Sequence, residues 1–391
     1  MRFVPWRVHY IVLLLSLVFT GAFCGGVSPG RFHRQEKNTG DDSWLHDFTV
    51  PHLKDFAAKH GIFVGTASNA GHIQGEDKEY DAVLADQFSL TTPENACKWG
   101  SIRPSESTYD YKDCDLVVST AESNNQTVRG HNLCWGVYNP GWLNKFAHNG
   151  TALRKLLTDH VTNVTEHYMN RMYSWDVVNE AVSDNPSKES FLKNNIWYPA
   201  VKDYIDAAFK AASAADSQVK LFYNDYNTAS INPKSDAIYQ MLKTMLENKV
   251  PLHGFGIQAH FSLSGFKDID KQEQGIYGYK LSAPPSDWSK VEDNIKRFVD
   301  LGLEIHITEL DVRINSDSKE DLKNQADVYQ NMLKACLKFA PKCKSFETWG
   351  FVDKYSWLAT HHPDYFDNNY KPKPCFYAVL DTLNTTQTDE L

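Results

Sequence analysis

Short runs rich in β-branched and aromatic residues alternate along this chain with longer amphipathic segments, and this alternation constrains the fold more than any other feature. The sequence has eight such runs, at 62–68, 87–95, 127–135, 172–181, 218–227, 254–261, 304–312 and 345–353. Between them, apolar residues recur at intervals of three and four, which is typical of helices. The clearest of these segments are 152–171, 198–216, 233–250, 288–301 and 319–339.

Strands that alternate with helices pair in parallel, because each helix returns the chain to the edge of the sheet where it started. Eight repeats in about 340 residues match a single-domain α/β fold, the (β/α)8 TIM barrel. An open doubly wound sheet is the alternative. Such a sheet usually has a glycine-rich phosphate-binding turn after its first strand, and the segment Gly65-Thr66-Ala67-Ser68 is not such a turn. The sequence therefore predicts the closed barrel.

The N-terminus has the pattern of a secretory signal peptide over residues 1–25. Arg2 and Arg7 precede an apolar run at 11–19, and small residues follow that run. A signal anchor that stays in the membrane is the alternative, but the run is short for a membrane span and no second apolar stretch follows. We expect cleavage, secretion to the extracellular space and no membrane contact afterwards.

The rest of the chain divides into three parts. Residues 26–43 are polar and predict a flexible lead-in, 44–386 are expected to form the barrel, and 387–391 form a C-terminal tail. The chain ends Thr388-Asp389-Glu390-Leu391. This resembles an endoplasmic-reticulum retention signal without its usual first residue, so retention is the alternative to release.

Two further features agree with an oxidising secretory compartment. Glycosylation sequons begin at Asn125, Asn149, Asn163 and Asn384. Removing Cys24 with the signal leaves an even set of cysteines, as disulfide pairing requires. Cys336 and Cys343 are predicted to pair, since they lie seven residues apart between a predicted helix and the next strand. We consider a second disulfide between Cys97 and Cys134. The alternative is that these cysteines are buried free thiols.

Charge and composition restrict the class of partner. The net charge is −9 at pH 7 and no long basic run occurs, which argues against nucleic acid. Aromatic residues make up 13% of the sequence, including ten tryptophans, and such rings stack on sugars as well as filling cores. The histidines and cysteines show no metal-ligand spacing. We therefore expect a neutral substrate, no metal, no cofactor and a monomeric protein.

Polar and aromatic residues follow the predicted strands at the ends where the active sites of such barrels lie. They are Glu94, Asn95, Lys98, His131, Trp135, Asn179, Glu180, Tyr223, Gln258, His260, Glu309, Asp311, Trp349 and Trp357. Glu180 lies at the end of the fourth run, and Glu309 lies in the seventh. This placement is compatible with the carboxylate spacing of about 5 Å in retaining glycosidases. The alternative, a buried structural carboxylate, is costly unless paired. We predict that these two residues flank a glycosidic bond.

At these residues the sequence resembles glycoside hydrolase family 10, the endo-β-1,4-xylanase family, from about residue 50 to 382. The motifs that carry the resemblance are Thr92-Pro93-Glu94-Asn95 with Lys98-Trp99, Gly130 through Trp135, Trp175 through Glu180, Tyr223 through Asn227, Gln258 with His260, Thr308-Glu309-Leu310-Asp311 and Trp349-Gly350. The resemblance implies a retaining endo-xylanase that acts on β-1,4-xylan or xylo-oligosaccharides through a covalent glycosyl-enzyme.

The resemblance also assigns roles to individual residues. It implies that Glu180 is the acid/base and Glu309 the nucleophile, while Asn179 binds the sugar 2-hydroxyl and His260, held by Asp311, supports Glu309. Tyr223 is expected on the leaving-group side of the cleavage point. The remaining sugar-binding residues implied are Glu94, Asn95, Lys98, His131, Trp135, Gln258, His260, Trp349 and Trp357.

The sequence departs from the family pattern after the third strand. The family usually continues Trp-His-x-Gln, whereas Gly136 and Tyr138 occupy those positions here. This leaves a β-1,4-glucanase or another barrel glycosidase as an alternative activity, and a non-catalytic carbohydrate-binding protein as a second one. Tyr277 and Tyr279, in a loop at 264–286, either extend the cleft or cover the surface.

Overall fold

The computed structural model describes residues 50–187, 190–264 and 281–387. The predicted signal peptide, the lead-in, Tyr277 with Tyr279 and the final residues from Thr388 lie outside the described residues. None of the helices in the described part is both long and apolar enough to cross a membrane.

The strands form one parallel sheet that closes on itself. In chain order they are β1 Phe63–Ser68, β2 Leu90–Pro93, β3 Thr127–Trp135, β4 Ser174–Asn179, β5 Lys220–Asp225, β6 Gly254–Ile257, β7 His260–Ser262, β8 Glu304–Arg313 and β9 Cys343–Thr348. The order β6-β5-β4-β3-β2-β1-β9-β8 is closed by pairing of β6 with β8. This is the predicted barrel, and the open-sheet alternative is wrong.

The sixth predicted run is two short strands rather than one. Strand β6 ends at Ile257, and β7 then pairs with the far part of β8, with His260 opposite Asp311. Ala259 between them has a φ of 62°, a left-handed conformation that interrupts the extended backbone. The break turns the chain between Gln258, which follows β6, and His260, which begins β7.

Helices connect the strands along the outside of the barrel. Their bounds are α1 Leu53–Lys59, α2 Lys78–Gln87, α3 Trp99–Ile102, α4 Lys112–Ser123, α5 Gly150–His167, α6 Tyr204–Ala215, α7 Pro233–Glu247, α8 Ser289–Asp300, α9 Lys319–Leu337 and α10 Pro374–Thr385. Side-chain oxygens of Asn149, Asn232 and Ser318 accept backbone N–H groups at the first turns of α5, α7 and α9, so local capping fixes these starts. Helix α6 begins at Tyr204, six residues later than predicted, and Pro199 accounts for the non-helical conformation of Tyr198.

Two disulfides are present in the described residues. Cys336 pairs with Cys343, which confirms the first prediction. The proposed pairing of Cys97 with Cys134 is wrong, because Cys97 is bonded to Cys114 and Cys134 is a buried free thiol. Cys97 lies beyond the end of β2, in the connection that leads to α4, and Cys114 is in the first turn of that helix. The bridge therefore joins the two ends of one connection rather than two strands.

Candidate active site

Glu180 and Glu309 lie at the same open end of the barrel, where a network of amide side chains connects them. Gln258 Nε2 lies 3.2 Å from both Glu180 Oε1 and Asn179 Oδ1. Asn224 Nδ2 donates to the same Asn179 oxygen at 3.0 Å and to Glu309 Oε1 at 2.6 Å. The two carboxyl groups are thus held at the ends of one hydrogen-bonded chain of neutral side chains.

The backbone at Glu180 has a conformation that side chains with a Cβ rarely adopt. Its φ is 55°, and its N–H donates to the carbonyl of Asn224 at 2.9 Å. Left-handed conformations of this kind persist only where the surroundings enforce them and are common at functional sites. The turn directs Glu180 into the barrel mouth, where only 5% of the residue is exposed.

Glu309 is held against a charged histidine. His260 Nε2 lies 3.1 Å from Glu309 Oε2, and His260 Nδ1 lies 2.9 Å from Asp311 Oδ2. Burial alone would lower the pKa of His260, but Asp311 and Glu309 raise it to about 10. Burial would likewise raise the pKa of Glu309, whereas the hydrogen bond from His260 and the charges of His131 and His260 lower it. At neutral pH the pair is therefore an imidazolium against a carboxylate.

Glu180 has different neighbours. Trp135 Nε1 donates to its Oε2 at 3.1 Å and Gln258 contacts the other oxygen. The nearest cation is Lys193, whose Nζ lies 3.8 Å from Oε2 and whose side chain is 27% exposed. The acid/base candidate is thus held by neutral donors and one partly exposed charge, and the nucleophile candidate by a buried ion cluster.

A second polar group lies beside the two carboxylates, on the connection that follows β2. Lys98 Nζ donates to Asn95 Oδ1 at 2.9 Å, and Asn95 Nδ2 donates to Glu94 Oε1 at 3.1 Å. The Lys98 ammonium lies 5.0 Å from the ring centroid of Trp135 and 5.7 Å from that of Trp349. Burial lowers its pKa. These residues offer fixed donors, acceptors and ring faces, the features that sugar recognition uses.

The floor of the site is a buried ion pair that the sequence reasoning missed. Asp176 pairs with Arg129 and accepts a hydrogen bond from His131 Nδ1 at 2.9 Å. The rings of Trp349 and His131 pack in a T-shaped arrangement, with centroids 5.1 Å apart. Arg129 and Asp176 lie in the middle of β3 and β4, where a charged residue is difficult to distinguish from a structural one by sequence alone.

Tyr223 was assigned to the sugar-binding surface, and this prediction is wrong. Neighbouring strand residues point to opposite faces, and it is Asn224 that points into the barrel, to Asn179 and Glu309. Tyr223 is fully buried. Its hydroxyl donates to Asp225 at 2.5 Å and accepts the backbone N–H groups of Ala181 and Val182. It therefore supports the turn after Glu180, while Asn224 is the site residue of β5 that was missed.

The other predicted residues are brought together. Asp311 accepts the indole N–H of Trp357 at 2.7 Å, so Trp357 joins the cluster around His260. The residues that the contacts above place in one group are Glu94, Asn95, Lys98, His131, Trp135, Asn179, Glu180, Gln258, His260, Glu309, Asp311, Trp349 and Trp357.

A barrel that carries two buried carboxyl groups at the carboxyl ends of its strands, in two different electrostatic environments, has the features of a glycoside hydrolase. The chain belongs to glycosyl hydrolase family 10, whose family model matches residues 52–382. This confirms the resemblance inferred from the motifs.

Relatives with known names agree with the family assignment. Endo-1,4-beta-xylanase B of Thermotoga neapolitana is 34% identical over 340 residues, which cover 85% of this chain and 91% of that protein. Beta-1,4-xylanase of Dictyoglomus thermophilum is 34% identical over 350 residues, with the same coverage. Among solved structures, native xylanase 10B of Thermotoga maritima is 36% identical with a TM-score of 0.77, covering 85% of this chain and 98% of that one.

A second solved structure contains a ligand. Xylanase 10B of Thermotoga petrophila, in complex with xylobiose, is 35% identical with a TM-score of 0.77 and covers 86% of this chain and 98% of that chain. Both solved relatives thus share the barrel fold that the sequence predicts.

Proposed function

We propose that this protein is an endo-β-1,4-xylanase that cleaves internal bonds of xylan with retention of anomeric configuration. The observation that carries the proposal is the difference between the two buried carboxyl groups. Glu309 is kept ionised by a charged His260, as a nucleophile must be, while Glu180 has mainly neutral hydrogen-bond donors around it. A retaining mechanism needs one carboxylate and one proton donor.

The reaction proceeds in two displacements. Glu309 forms a bond to the anomeric carbon as the bond to the leaving oxygen breaks, and Glu180 transfers its proton to that oxygen. Glu180, now a carboxylate, then removes a proton from the water that attacks the glycosyl-enzyme and regenerates Glu309. Through this cycle the charge of His260 stays constant, and Asn224 keeps the Glu309 carboxylate oriented.

Sugar binding is assigned to the groups around this pair. Glu94, Asn95 and Lys98 hold hydroxyl groups of the sugar on the non-reducing side, and Asn179 binds the 2-hydroxyl at the cleavage point. The rings that line the sugar are those of Trp135, Trp349 and Trp357, and His131 and Gln258 complete this set. Support comes from the contacts that join these residues into one group and from the xylobiose complex of the Thermotoga petrophila relative.

A β-1,4-glucanase is the second candidate activity, because of Gly136 and Tyr138. These residues replace a histidine and a glutamine of the family pattern. Tyr138 has a φ of 56°, and the Lys98 ammonium lies 5.5 Å from the centroid of its ring. An aromatic ring thus lies at the edge of the sugar-binding group where the family has an amide.

The sequence features outside the site support an extracellular, glycosylated enzyme. The side chains of Asn125, Asn149, Asn163 and Asn384 are all exposed, as glycan attachment requires. Asn149 caps α5 through its Oδ1 atom, which leaves its nitrogen available for a glycan. Cleavage after the signal segment, release rather than retention, and a monomeric state complete the proposal.

The test is product analysis on soluble β-1,4-xylan and on mixed-linkage β-glucan, with NMR of the fresh reducing ends. The proposal expects xylo-oligosaccharides that are first released in the β configuration. Activity on glucan alone would show that β-glucan rather than xylan is the substrate. Release of products in the α configuration would refute retention. No activity on either glycan, with oligosaccharide binding intact, would support the alternative of a non-catalytic carbohydrate-binding protein.

A further inference from the structure

The connection from β4 to α6 affects the surroundings of the acid/base candidate in two ways, directly through Lys193 and indirectly through Trp135. Lys193 Nζ lies 3.8 Å from Glu180 Oε2, and Trp135 Nε1 donates to the same oxygen at 3.1 Å. The carbonyl of Trp135 in turn accepts the indole N–H of Trp197 at 2.7 Å. One short segment, Lys193 to Trp197, therefore supplies one neighbour of Glu180 Oε2 and holds the other.

The same segment fills the space created by the glycine that departs from the family pattern. A Cβ atom at Gly136 would lie 2.7 Å from Asn195 Nδ2 and 3.1 Å from Asn195 Cβ. Side chains do not approach this closely without a shift. The absence of a side chain at position 136 is thus matched by Asn195, which packs against the backbone beside Trp135.

Asn195 is itself held in place. Its Oδ1 accepts the N–H of Trp197 at 2.8 Å and that of Tyr198 at 3.1 Å, and its N–H donates to the Tyr198 carbonyl at 3.0 Å. The Trp197 ring is fully buried and stacks on Trp99, with centroids 5.1 Å apart. The segment Lys193–Trp197 is therefore held in one conformation beside Trp135.

We propose that the segment Lys193–Trp197 is the positioning element of the acid/base: Asn195 and Trp197 fix Trp135 against Glu180, and Lys193 balances the negative charge that Glu180 acquires when it gives up its proton. The inference rests on the proposed role of Glu180. In the step concerned, the O–H bond of Glu180 breaks, the proton joins the leaving oxygen, and the carboxylate gains one negative charge beside the Lys193 ammonium.

The chemistry of leaving groups separates this role from a general structural one. A phenol of low pKa, such as 2,4-dinitrophenol, departs without a proton, whereas phenol itself needs one. A residue that acts through the proton donor therefore affects the second substrate and spares the first. A residue that only supports the fold, or only binds sugar, affects both substrates to a similar extent.

The experiment measures kcat/KM for a series of aryl β-xylobiosides, from dinitrophenyl to phenyl. The variants are Lys193→Gln and Asn195→Ala, with Lys202→Gln as the matched control, since Lys202 is exposed in the same connection. For each of the first two we expect a loss of about tenfold with the phenyl substrate, the effect of about 1.4 kcal/mol on a barrier, and less than about twofold with the dinitrophenyl substrate. Lys202→Gln should match the wild type throughout.

Glu180→Ala serves as the internal standard and should show the steepest dependence on the leaving group. If it shows none, Glu180 is not the proton donor and the proposed function fails at that residue. If Glu180→Ala behaves as expected but Lys193→Gln and Asn195→Ala lose activity equally on all substrates, or lose none, the positioning role is refuted and the proposed function stands. Near-ultraviolet circular dichroism of each variant identifies any that fails to fold.

Discussion

The two sides of the barrel mouth hold their carboxyl groups in different ways. On the side of β8, Glu309, His260 and Asp311 form an ion cluster that is almost completely buried and lies on or beside strands. On the side of β4, Glu180 is held by the indole of Trp135 at the end of β3, the amide of Gln258 and the partly exposed Lys193, which lies in the connection after β4.

This difference matches the chemistry proposed for each group. A nucleophile has to be ionised at the start of every cycle, and a buried, fixed opposite charge provides that. A proton donor that becomes a base within the same cycle has to tolerate both protonation states. The cation in contact with Glu180 is the partly exposed Lys193, whereas Glu309 contacts the buried His260.

The largest expected effect follows from removal of the nucleophile. Glu309→Gln keeps the size of the side chain but cannot form the glycosyl ester, so we expect kcat on xylan to fall on the order of 10⁵-fold, as for other enzymes that lose a nucleophile. Reducing-end release measures the loss. Xylo-oligosaccharide binding by calorimetry, which should persist, is the control, and residual turnover above about 1% of the wild type would contradict the assignment.

A smaller effect is expected when the charge behind His260 is removed. Asp311→Asn leaves His260 with one carboxylate partner, so its pKa falls and Glu309 loses a fixed positive charge. A charge-assisted hydrogen bond contributes about 1.5–3 kcal/mol, so kcat/KM should drop by roughly ten- to a hundredfold. Because the loss concerns the nucleophile, it should be similar for aryl xylobiosides with good and poor leaving groups. A loss confined to poor leaving groups would contradict the division between the two sides.

A matched pair of tryptophan variants tests the two carboxyl groups separately. Trp357→Phe removes the N–H that binds Asp311, and Trp135→Phe removes the N–H that binds Glu180. Each loses one hydrogen bond of about 1 kcal/mol, so we expect changes of about fivefold in kcat/KM. Because both rings also line the sugar, each variant should lose some activity on every substrate. The loss should be uniform across leaving groups for Trp357→Phe and should increase with poorer leaving groups for Trp135→Phe. The reverse pattern would exchange the roles of Glu180 and Glu309.

The last expected effect concerns the stability of the fold at different pH values rather than the rate of the reaction. The pKa of His260 rises from 6.5 to about 10 on folding, so the protein binds this proton more tightly when folded. The stabilisation is fully present below about pH 6.5 and is lost as pH rises toward 10. Glu309, with a lowered pKa, contributes stability above pH 4.5 that is lost in acid. Urea unfolding across this range should show a decline on the alkaline side, and the decline should be weaker in Asp311→Asn.

Much of this site follows from the sequence, because strand ends in an alternating α/β chain converge. The barrel and the pair Glu180 and Glu309 follow from residues at or near those ends, while the support of Glu309 by His260 and Asp311 is what the family resemblance implies. A barrel leaves little freedom in where such residues meet.

The parts that failed depend on single-residue details of the backbone. Side chains alternate between the two faces of a strand. An error of one residue in deciding which side chain of β5 points into the barrel therefore selects Tyr223 in place of Asn224. The pairing of Cys97 with Cys114 depends on the path of one connection. The contact between Asn195 and Gly136 joins residues 59 positions apart through a loop conformation that no periodic pattern encodes.

Our proposal makes Glu309 the nucleophile and Glu180 the acid/base. A 2-deoxy-2-fluoro-β-xylobioside with a dinitrophenyl leaving group tests it most directly, because the fluorine slows hydrolysis of any glycosyl-enzyme. Mass spectrometry of the intact protein and its peptides should find one xylobiosyl group, attached to Glu309. A label on Glu180 would contradict the assignment, and steady turnover on xylan with release of the α anomer and no label would contradict the mechanism.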